Sequence, residues 1–389
     1  MKLAICGFGF SGATLPLAKA LAHSDSIIKK VDCYYLVYKS KKCSEIESVD
    51  YGNELLKIGI PHKLDMSNKI YNYLPDNVSI YLFPLCPNGP VGMHWLSKIL
   101  NYLLIIYLSF YIILKKYKAV NIIAHTSLEF TLYNIVSKFI KTIISVHEVY
   151  VSLNNEKEIK PKLKSLSQKE VDIVFHSKSV RDEFMHSINY MRCKLHVIPF
   201  SNFDSYSSFL GNTDVVNITN YILFIGSIQP YKGLGLLKEA LDHHSMDSVN
   251  VVIAGKGNVP ELDYFKNRKN TCVLNRYVSN EELVSLIKNC AFIVCPYLMA
   301  SQTGIAPTAF VFNKPIVATN VGAFHEVIKD GYNGFLVNPN DPVLLRDRIL
   351  KLYIDVPFRE KLMENILKSH VNVWDNIAID YLKIFTTVQ

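Results

Sequence analysis

Residues 291–319 read AFIVCPYLMASQTGIAPTAFVFNKPIVAT and carry the clearest indication of the fold class. This stretch opens with a short apolar run, 291–296, of the kind that forms a buried parallel strand. The small and polar residues Ser301-Gln302-Thr303-Gly304 follow and predict a turn that opens a helix. The run 314–319 predicts another strand. This order of strand, turn, helix and strand is typical of an α/β domain with a parallel sheet.

The turn at 301–304 also has the chemistry of an anion site. Backbone N–H groups at a helix N-terminus are free, and the positive end of the helix dipole favours negative charge. Gly304 would let a phosphate approach closely. Two interpretations stay open from these residues alone: a phosphate-binding turn, or an ordinary βα turn.

Strand and helix patterns alternate along the whole chain, which predicts parallel sheets. A polar segment from about 201 to 220 separates two such series, and we interpret it as a linker. We therefore predict two Rossmann-like domains, residues 1–200 and 201–371. Apolar residues at helical spacing predict a last helix within residues 372–389.

Composition sets limits on the partners and the compartment. The 389 residues carry a net charge of +8 and are 49% apolar. This charge permits acidic partners such as sugar nucleotides or anionic lipid surfaces, and we expect no nucleic-acid partner. The eight cysteines contain no C-x-x-C pair and mostly lie in apolar runs. We expect buried thiols in a reducing cytoplasm, without disulfides or a zinc site.

Residues 103–114, LLIIYLSFYIIL, form the most hydrophobic run. This run is too short to span a bilayer, which takes about 20 residues. Lys115, Lys116 and Lys118 follow it. We expect a core helix of the first domain, and the alternative is a helix lying on a membrane surface.

Three glycines follow the first predicted strand, in the pattern Gly7-x-Gly9-x-x-Gly12. This is the dinucleotide-binding fingerprint, and it favours a strand-turn-helix start over a signal peptide. A dehydrogenase also needs an acid near the end of the second strand to hold the ribose hydroxyls. The residues there, Val37-Tyr38-Lys39, contain none, so a Rossmann oxidoreductase using NAD(P) is disfavoured.

Two further segments place polar side chains after strands. His147 follows the predicted strand 142–146, at the strand end where ligands of open α/β sheets bind. Its other interpretation is a capped or solvent-facing histidine. Lys232 closes the turn after the strand 221–225, and its other interpretation is a solvated turn lysine.

These motifs together resemble a known family. Residues 291–319 with Val321–Glu326 resemble the nucleotide-binding signature of retaining GT-B glycosyltransferases of family 4. Residues 224–233 resemble the family's strand-Gly-Arg-(x4)-Lys-Gly segment, and 144–148 its strand-histidine-acid motif. The resemblance covers nearly the full chain. It implies the GT-B fold, in which two Rossmann-like domains face each other across a cleft and the last helix, here 372–389, crosses back onto the first domain.

The sequence departs from the family pattern at three positions. Ala300 and Thr308 stand where the family has two glutamates, and Ser227 stands where it has an arginine. Donor-sugar contacts are therefore expected to move to Ser301 and Gln302. Thr308 can still offer one hydroxyl to a ribose.

The resemblance implies the following roles. His147 would contact the transferred sugar, with His125 a weaker candidate for the same wall. Lys232 would neutralise the diphosphate as it leaves, which lowers the barrier directly. The residues implied around the donor are Gly9, Ser11, Ser227, Lys256, Tyr277, Ser301, Gln302, Thr303, Gly304, Ile305, Thr308 and Glu326.

The implied reaction is transfer of a sugar from a nucleotide-diphospho-sugar, a UDP- or GDP-sugar, with retention of configuration. The expected acceptor is a saccharide on a lipid carrier, in surface polysaccharide synthesis at the inner face of the cytoplasmic membrane. No metal and no further cofactor are expected. The alternatives are a catalytically weak homologue that only binds a nucleotide or a partner and, less favoured, the oxidoreductase.

Overall fold

The structure, a computed structural model, describes residues 1–8, 11–24, 27–38, 57–65, 68–87, 94–124, 126–146, 156–188, 191–209, 215–300, 304–369 and 373–387. The chain forms two compact units. One comprises Met1–Phe200 and Asn372–Gln389, and the other Ser201–Val371.

The first unit is built on one sheet. Its strands, within the described residues, are β1 (Lys2–Phe8), β2 (Lys30–Tyr38), β3 (His62–Lys63), β4 (Val78–Leu85), β5 (Ala119–Ala124), β6 (Lys141–Val146), β7 (Asp172–Phe175) and β8 (Lys194–Val197). They lie in the order β3-β4-β2-β1-β5-β6-β7-β8. Every neighbouring pair is parallel except β3 with β4. The parallel sheet predicted from the alternation is thus observed, with one short antiparallel edge strand added.

The helices of this unit cover both faces of the sheet, as a parallel sheet requires. They are α1 (Ser11–His23), α2 (His94–Leu114), α3 (Ser127–Val136), α4 (Glu156–Ser167) and α5 (Lys178–His186). Residues of α1 belong to the core on one face, and residues of α2 to α5 to the core on the other.

The second unit repeats the plan with a smaller sheet. Its strands are β9 (Tyr221–Ile225), β10 (Asn250–Ala254), β11 (Thr271–Leu274), β12 (Phe292–Cys295), β13 (Ile316–Thr319) and β14 (Gly334–Val337). Their order is β11-β10-β9-β12-β13-β14, and all neighbouring pairs are parallel. Four of them, β9, β10, β12 and β13, are buried along nearly their whole length, which explains their continuous apolar sequences.

The helices of the second unit have readable start signals. They are α6 (Leu234–Leu241), α7 (Leu262–Asn267), α8 (Asn280–Asn289), α9 (Ile305–Val311), α10 (Phe324–Val327), α11 (Pro342–Ile354) and α12 (Val356–Ser369). Ser279 and Glu282 form the capping box of α8. Asp341 caps α11, which has Pro342 at its first position.

The last helix, α13 (Val373–Thr386), packs with the first unit. Its buried residues include Trp374, Ile377, Tyr381 and Ile384, the residues whose spacing predicted it. They join the core that α1 contributes to. The hydroxyl of Tyr381 lies 3.2 Å from Oγ of Ser145 on β6.

The segment interpreted as a linker is partly structured. Asp204–Phe209 forms a 3-10 helix whose Ser205 and Phe209 are buried. The backbone N–H of Phe203 donates to Pro307 O in α9. At least residues 203–209 therefore pack as part of the second unit.

The helix α2 was expected to be a core helix, but it is buried on one side only. Only Asn101, Ile105, Leu108, Ser109 and Ile112 are buried in it. Of its most apolar 18-residue window, 28% is buried, although the helix is long and apolar enough to cross a membrane.

The cysteines match the expectation of buried thiols. All seven described cysteines are free, and six of them are buried. Burial raises the pKa of Cys290 and of Cys295 to about 12, so both thiols stay protonated near neutral pH. Cys43 lies outside the described residues.

Candidate active site

The candidate site of the second unit lies at the carboxyl edge of its sheet. The chain leaves β9 and returns as β10 on one side, whereas β12 lies on the other side of β9. This is the topological switch point, and open α/β sheets bind ligands in the crevice outside it. The loops that follow β9 and β12 meet there.

The loop after β9 ends in a tight turn that carries Lys232. Pro230–Lys232 forms one 3-10 turn, and Gly233 follows with φ +70°. A Cβ on Gly233 would lie 1.8 Å from Pro296 O, just beyond β12. The N–H of Leu298 donates to Tyr231 O at 2.8 Å. The turn is thus fastened by backbone contacts to the chain that leaves β12, and only glycine fits its last position.

The side chain of Lys232 is half-buried and lies over two tyrosine rings. Its Nζ is 3.9 Å from the ring centroid of Tyr297 and 5.3 Å from that of Tyr231. The Tyr297 ring is 2% exposed and stands edge-on to Phe324. Burial raises the pKa of Tyr297 well above its usual range, so this ring is neutral. Such a cation–π contact holds the ammonium in one place, which a freely solvated turn lysine lacks.

The loop after β10 packs against the loop after β9 through main chain. Gly255 has φ +145°, and a Cβ on it would lie 1.8 Å from Gly226 O. The N–H of Ile228 donates to Lys256 O at 3.0 Å. The side chains of Ser227 and Lys256 are both exposed at this edge. The edge therefore presents backbone polar groups together with a hydroxyl and an ammonium.

The predicted phosphate turn is described only from Gly304 onward. Ser301, Gln302 and Thr303 lie outside the described residues. The helix begins at Ile305 and has seven residues, with Gly304 at its N-cap. Thr308 is buried, and its hydroxyl donates to Gly304 O at 2.8 Å. Its hydrogen is thus committed inside the helix, and only an oxygen lone pair is left for a ribose.

Two more predicted donor residues sit on neighbouring loops. Tyr277 is exposed, and Arg276 beside it makes a bidentate ion pair with Glu282 at 2.8 and 2.6 Å. Hydrogen bonding from Arg276 holds the pKa of Glu282 below its usual range. Glu326 is half-buried in α10, after β13. Ser227, Lys232, Lys256, Tyr277, Gly304, Ile305, Thr308 and Glu326 all belong to the loops or helices that follow parallel strands of one sheet.

The predicted site residues of the first unit are largely outside the described part. Gly9, His125 and His147 are among the residues not described, and for Ser11 only the backbone is given, at the first position of α1. The glycine-rich segment starts later than expected, since β1 runs through Gly7 to Phe8. A Cβ on Gly7 would lie 3.0 Å from Ile123 O, so its role is the close packing of β1 on β5.

One buried acid in the first unit was missed. Glu129 is 0% exposed and lies in the first turn of α3, which follows β5 at the switch point between β1 and β5. Its Oε2 accepts from the N–H of Thr126 at 2.8 Å and from Thr126 Oγ1 at 2.5 Å. Its buried Oε1 makes no hydrogen bond of good geometry to the described residues. The readable signal was the capping-box pattern Thr126-x-x-Glu129, which Ser279-x-x-Glu282 repeats.

Burial raises the pKa of Glu129 to about 7 from 4.5, although polar contacts with Thr126 and with the backbone of Phe8 oppose the shift. Between these two pH values the unfolded chain loses the proton and the folded chain keeps it. The free energy of unfolding therefore falls as pH rises from about 4.5 to 7, by up to roughly 3 kcal/mol. We expect Glu129→Gln to remove this dependence, so that the wild type gains stability relative to the variant on going from pH 8 to pH 5.

Denaturant unfolding of both proteins at pH 5 and pH 8 measures this effect. Glu282→Gln is the matched control, because Glu282 is also a capping-box glutamate but has a lowered pKa and stays ionised across this range. If the free energy of unfolding of the wild type differs from that of Glu129→Gln by the same amount at both pH values, Glu129 does not have the raised pKa.

Most of the second unit is similar in sequence to a known protein family. Residues 213–369 match the family model for glycosyl transferases group 1. The matched range contains Lys232 and every other described residue of the second unit that was predicted to contact the donor.

Two curated relatives agree with this match. The uncharacterized glycosyltransferase MJ1178 of Methanocaldococcus jannaschii is 32% identical over 170 residues, which is 43% of this chain and 48% of that protein. A D-inositol 3-phosphate glycosyltransferase of Xylanimonas cellulosilytica is 26% identical over 172 residues, 42% of this chain and 41% of that protein. The aligned region thus covers about half or less of the length of each of these relatives.

Solved structures extend the likeness to the whole chain. The structure described as trehalose-6-phosphate from E. coli bound with UDP-2-fluoro glucose matches with a TM-score of 0.68 at 10% identity, over 100% of both chains. This similarity confirms the predicted fold class, an α/β GT-B fold of two domains with parallel sheets. At 10% identity this likeness shows the fold alone, whereas the family model and the two curated relatives are of glycosyltransferases.

Proposed function

We propose that this protein is a retaining glycosyltransferase that moves a sugar from a UDP- or GDP-sugar to a saccharide acceptor. The observation that carries the proposal is the position of Lys232. Its turn is fastened at the switch point of the second sheet, and its ammonium is held over Tyr297. A diphosphate leaving group gains negative charge in the transition state, so a fixed cation there lowers the barrier.

In the proposed reaction the bond between the anomeric carbon and the diphosphate oxygen breaks. The acceptor hydroxyl oxygen forms the new bond on the same face of the sugar. The departing phosphate oxygen takes the acceptor proton, so the products are the glycosylated acceptor and the nucleoside diphosphate. Lys232 stabilises the charge on that oxygen, and His147 contacts the transferred sugar.

The other side chains hold the donor. Ser227 and Lys256 are exposed beside the Lys232 turn and are assigned to the phosphates and sugar. Ser301 and Gln302 take over the sugar contacts that Ala300 cannot make. The remaining proposed donor contacts are Gly9, Ser11, Tyr277, Thr303, Gly304, Ile305, Thr308 and Glu326.

The acceptor we propose is a saccharide on a lipid carrier, in surface polysaccharide synthesis. The reaction would take place in the cytoplasm at the inner face of the cytoplasmic membrane. Support comes from the apolar helix α2, which is followed by Lys115, Lys116 and Lys118. The bilayer would present the acceptor, and the nucleotide sugar would come from the cytoplasm.

We expect transfer to proceed without a divalent metal. Lys232 and the backbone N–H groups at the starts of α6 and α9 supply the positive charge that a metal would otherwise provide. Within the described ranges, no group of three or more His, Cys, Asp and Glu side chains is placed to hold a metal ion. Initial rates with EDTA, and after adding magnesium or manganese, test this. Activity that EDTA abolishes and either metal restores would contradict it.

The decisive experiment combines ligand-dependent melting with a donor screen. We expect UDP or GDP to raise the melting temperature, since a ligand that binds the native state stabilises it, and NAD to leave it unchanged. One nucleotide sugar should then be hydrolysed slowly without an acceptor and faster with one. A shift with NAD alone would favour the oxidoreductase.

A binding-only protein is the second candidate, and Ala300, Thr308 and Ser227 favour it because each replaces a charged residue of the family pattern. In that case UDP or GDP would raise the melting temperature, but no nucleotide sugar would be turned over. Donor hydrolysis that Lys232→Ala abolishes would exclude this candidate.

A further inference from the structure

The helix α2 has an apolar surface on the side opposite its core contacts. At 3.6 residues per turn, Ile105, Leu108 and Ile112 point to one side, and all three are fully buried. The opposite side carries large apolar residues that are 42% to 78% exposed. We call these residues the α2 face: Leu96, Ile99, Leu103, Tyr107, Phe110 and Leu114.

The helix is attached to the first unit through its buried side, which leaves the α2 face on the surface. Asn101 is buried, its Oδ1 accepts from the N–H of Cys86 at 2.8 Å, and its Nδ2 donates to Cys86 O at 3.1 Å. A helix of 21 residues is about 32 Å long, enough to span a bilayer. Spanning would break both buried hydrogen bonds and empty the core under α2. The helix is therefore suited to lie on a membrane and not to cross it.

A turn that packs on α2 exposes two more apolar side chains. Gly59 packs on α2, since a Cβ on it would lie 2.5 Å from Leu104 Cδ2. Its neighbours Ile58 and Ile60 are 40% and 47% exposed. Isolated exposed apolar residues are ordinary, but six large ones on one side of a single helix form a patch of the kind that marks an interaction site.

The charged side chains within α2 and directly after it have one sign. Residues 94–118 contain no aspartate or glutamate. Lys98 lies within α2, and Lys115, Lys116 and Lys118 follow its last turn, all of them exposed. The Nζ of Lys115 lies 5.0 Å from the ring centroid of Tyr111. An apolar helix side bordered by lysines is complementary to a bilayer with anionic headgroups.

We propose that the α2 face docks on the surface of an anionic lipid bilayer, with the axis of α2 along the membrane plane. The apolar side chains enter the boundary between headgroups and acyl chains, and the lysines contact the phosphates. This inference does not depend on the transferase chemistry. It extends the proposed membrane location, for which α2 was the support, by naming the side chains that contact the bilayer.

Vesicle sedimentation tests the proposal without any sugar donor. We expect the full chain to bind vesicles of phosphatidylcholine with phosphatidylglycerol, and to bind phosphatidylcholine vesicles more weakly. Leu103→Glu with Phe110→Glu should lower binding at least roughly tenfold, because both carboxylates would enter the apolar boundary. Lys115→Gln with Lys118→Gln should lower binding to the anionic vesicles only.

The matched control is Ile354→Glu with Leu367→Glu, which changes two residues that are 73% and 61% exposed on the second unit. It should bind like the wild type. Melting temperature and vesicle-free donor hydrolysis should be equal in all variants, which separates this test from that of the proposed function. A second readout is Trp95, 58% exposed at the start of α2, whose fluorescence should shift to shorter wavelength on binding, whereas Trp374 is buried.

Three outcomes would overturn the proposal. The first is a Leu103→Glu and Phe110→Glu variant that binds anionic vesicles as well as the wild type does. The second is a wild type that binds no vesicles. The third is a wild type that is dimeric and binds no vesicles, together with a Leu103→Glu and Phe110→Glu variant that is monomeric. The α2 face would then be covered by a second copy of the chain.

Discussion

Replacing Lys232 by alanine is expected to lower kcat/KM for sugar transfer by about 100-fold to 1,000-fold, equivalent to roughly 3–4 kcal/mol of transition-state stabilisation. The charge that develops on the leaving diphosphate would lose the ammonium that Tyr297 and the Gly233 turn hold in place. Steady-state kinetics with the donor found by screening, and calorimetric titration with its nucleoside diphosphate, measure the two effects. Turnover should fall more than product affinity, since the charge is largest in the transition state.

Two controls make this result specific. Lys238→Ala removes another lysine of the second unit that lies over a tyrosine, with Nζ 5.6 Å from the ring centroid of Tyr264, and it should leave turnover unchanged. Lys232→Arg keeps the charge and should retain part of the activity. If Lys232→Ala transfers sugar at the wild-type rate, Lys232 does not act on the leaving group.

The fold of the second unit could be predicted well because its signals are local. The apolar run 221–225 is β9 with the predicted ends, and the predicted capping box at Ser279 and Glu282 is formed. Parallel strands buried on both faces are continuously apolar, and helix starts need particular side chains. These requirements act within a few residues, so they can be read directly from the chain.

The features that were missed depend on contacts between distant residues. The strand β3 has two residues and exists because it pairs with residues of β4 that lie 18 to 20 positions later. Glu129 was readable as a helix cap, but its complete burial comes from the elements packed around it. The sequence of α2 predicts a helix, but its apolar residues would lie on every side of that helix. Only the structure separates its core side from the exposed α2 face.

The candidate site was predictable in part. The sequence placed Lys232 and Ser227 on one loop and Lys256 on the next, and the structure puts these loops in backbone contact. The ring of Tyr297 under Lys232 could not be predicted, because the two residues are 65 positions apart and meet only when β9 and β12 pair. The roles of His147, Ser301, Gln302 and Thr303 stay predictions, since these residues lie outside the described part of the chain.

Replacing Gly233 by alanine is expected to destabilise the second unit by roughly 2–5 kcal/mol and to reduce turnover about as much as Lys232→Ala does. A left-handed backbone costs a residue with a Cβ about 1–2 kcal/mol, and overpacking adds about 1–3 kcal/mol. The added Cβ would lie 1.8 Å from Pro296 O, so the turn must move away from β12 and carry Lys232 off the Tyr297 ring. Denaturant unfolding and steady-state kinetics on the same preparation measure both effects.

Gly331→Ala separates the backbone cost from the displacement of Lys232. Gly331 has φ +69°, nearly the φ of Gly233, but a Cβ on it would meet no atom within 4 Å. This variant should lose about 1–2 kcal/mol of stability and keep its turnover. If Gly233→Ala is no less stable than Gly331→Ala and fully active, the turn tolerates a side chain, and the close contact with Pro296 does not position Lys232. If Gly233→Ala loses activity under conditions where both variants are folded, the contact between the two loops sets the position of the catalytic cation.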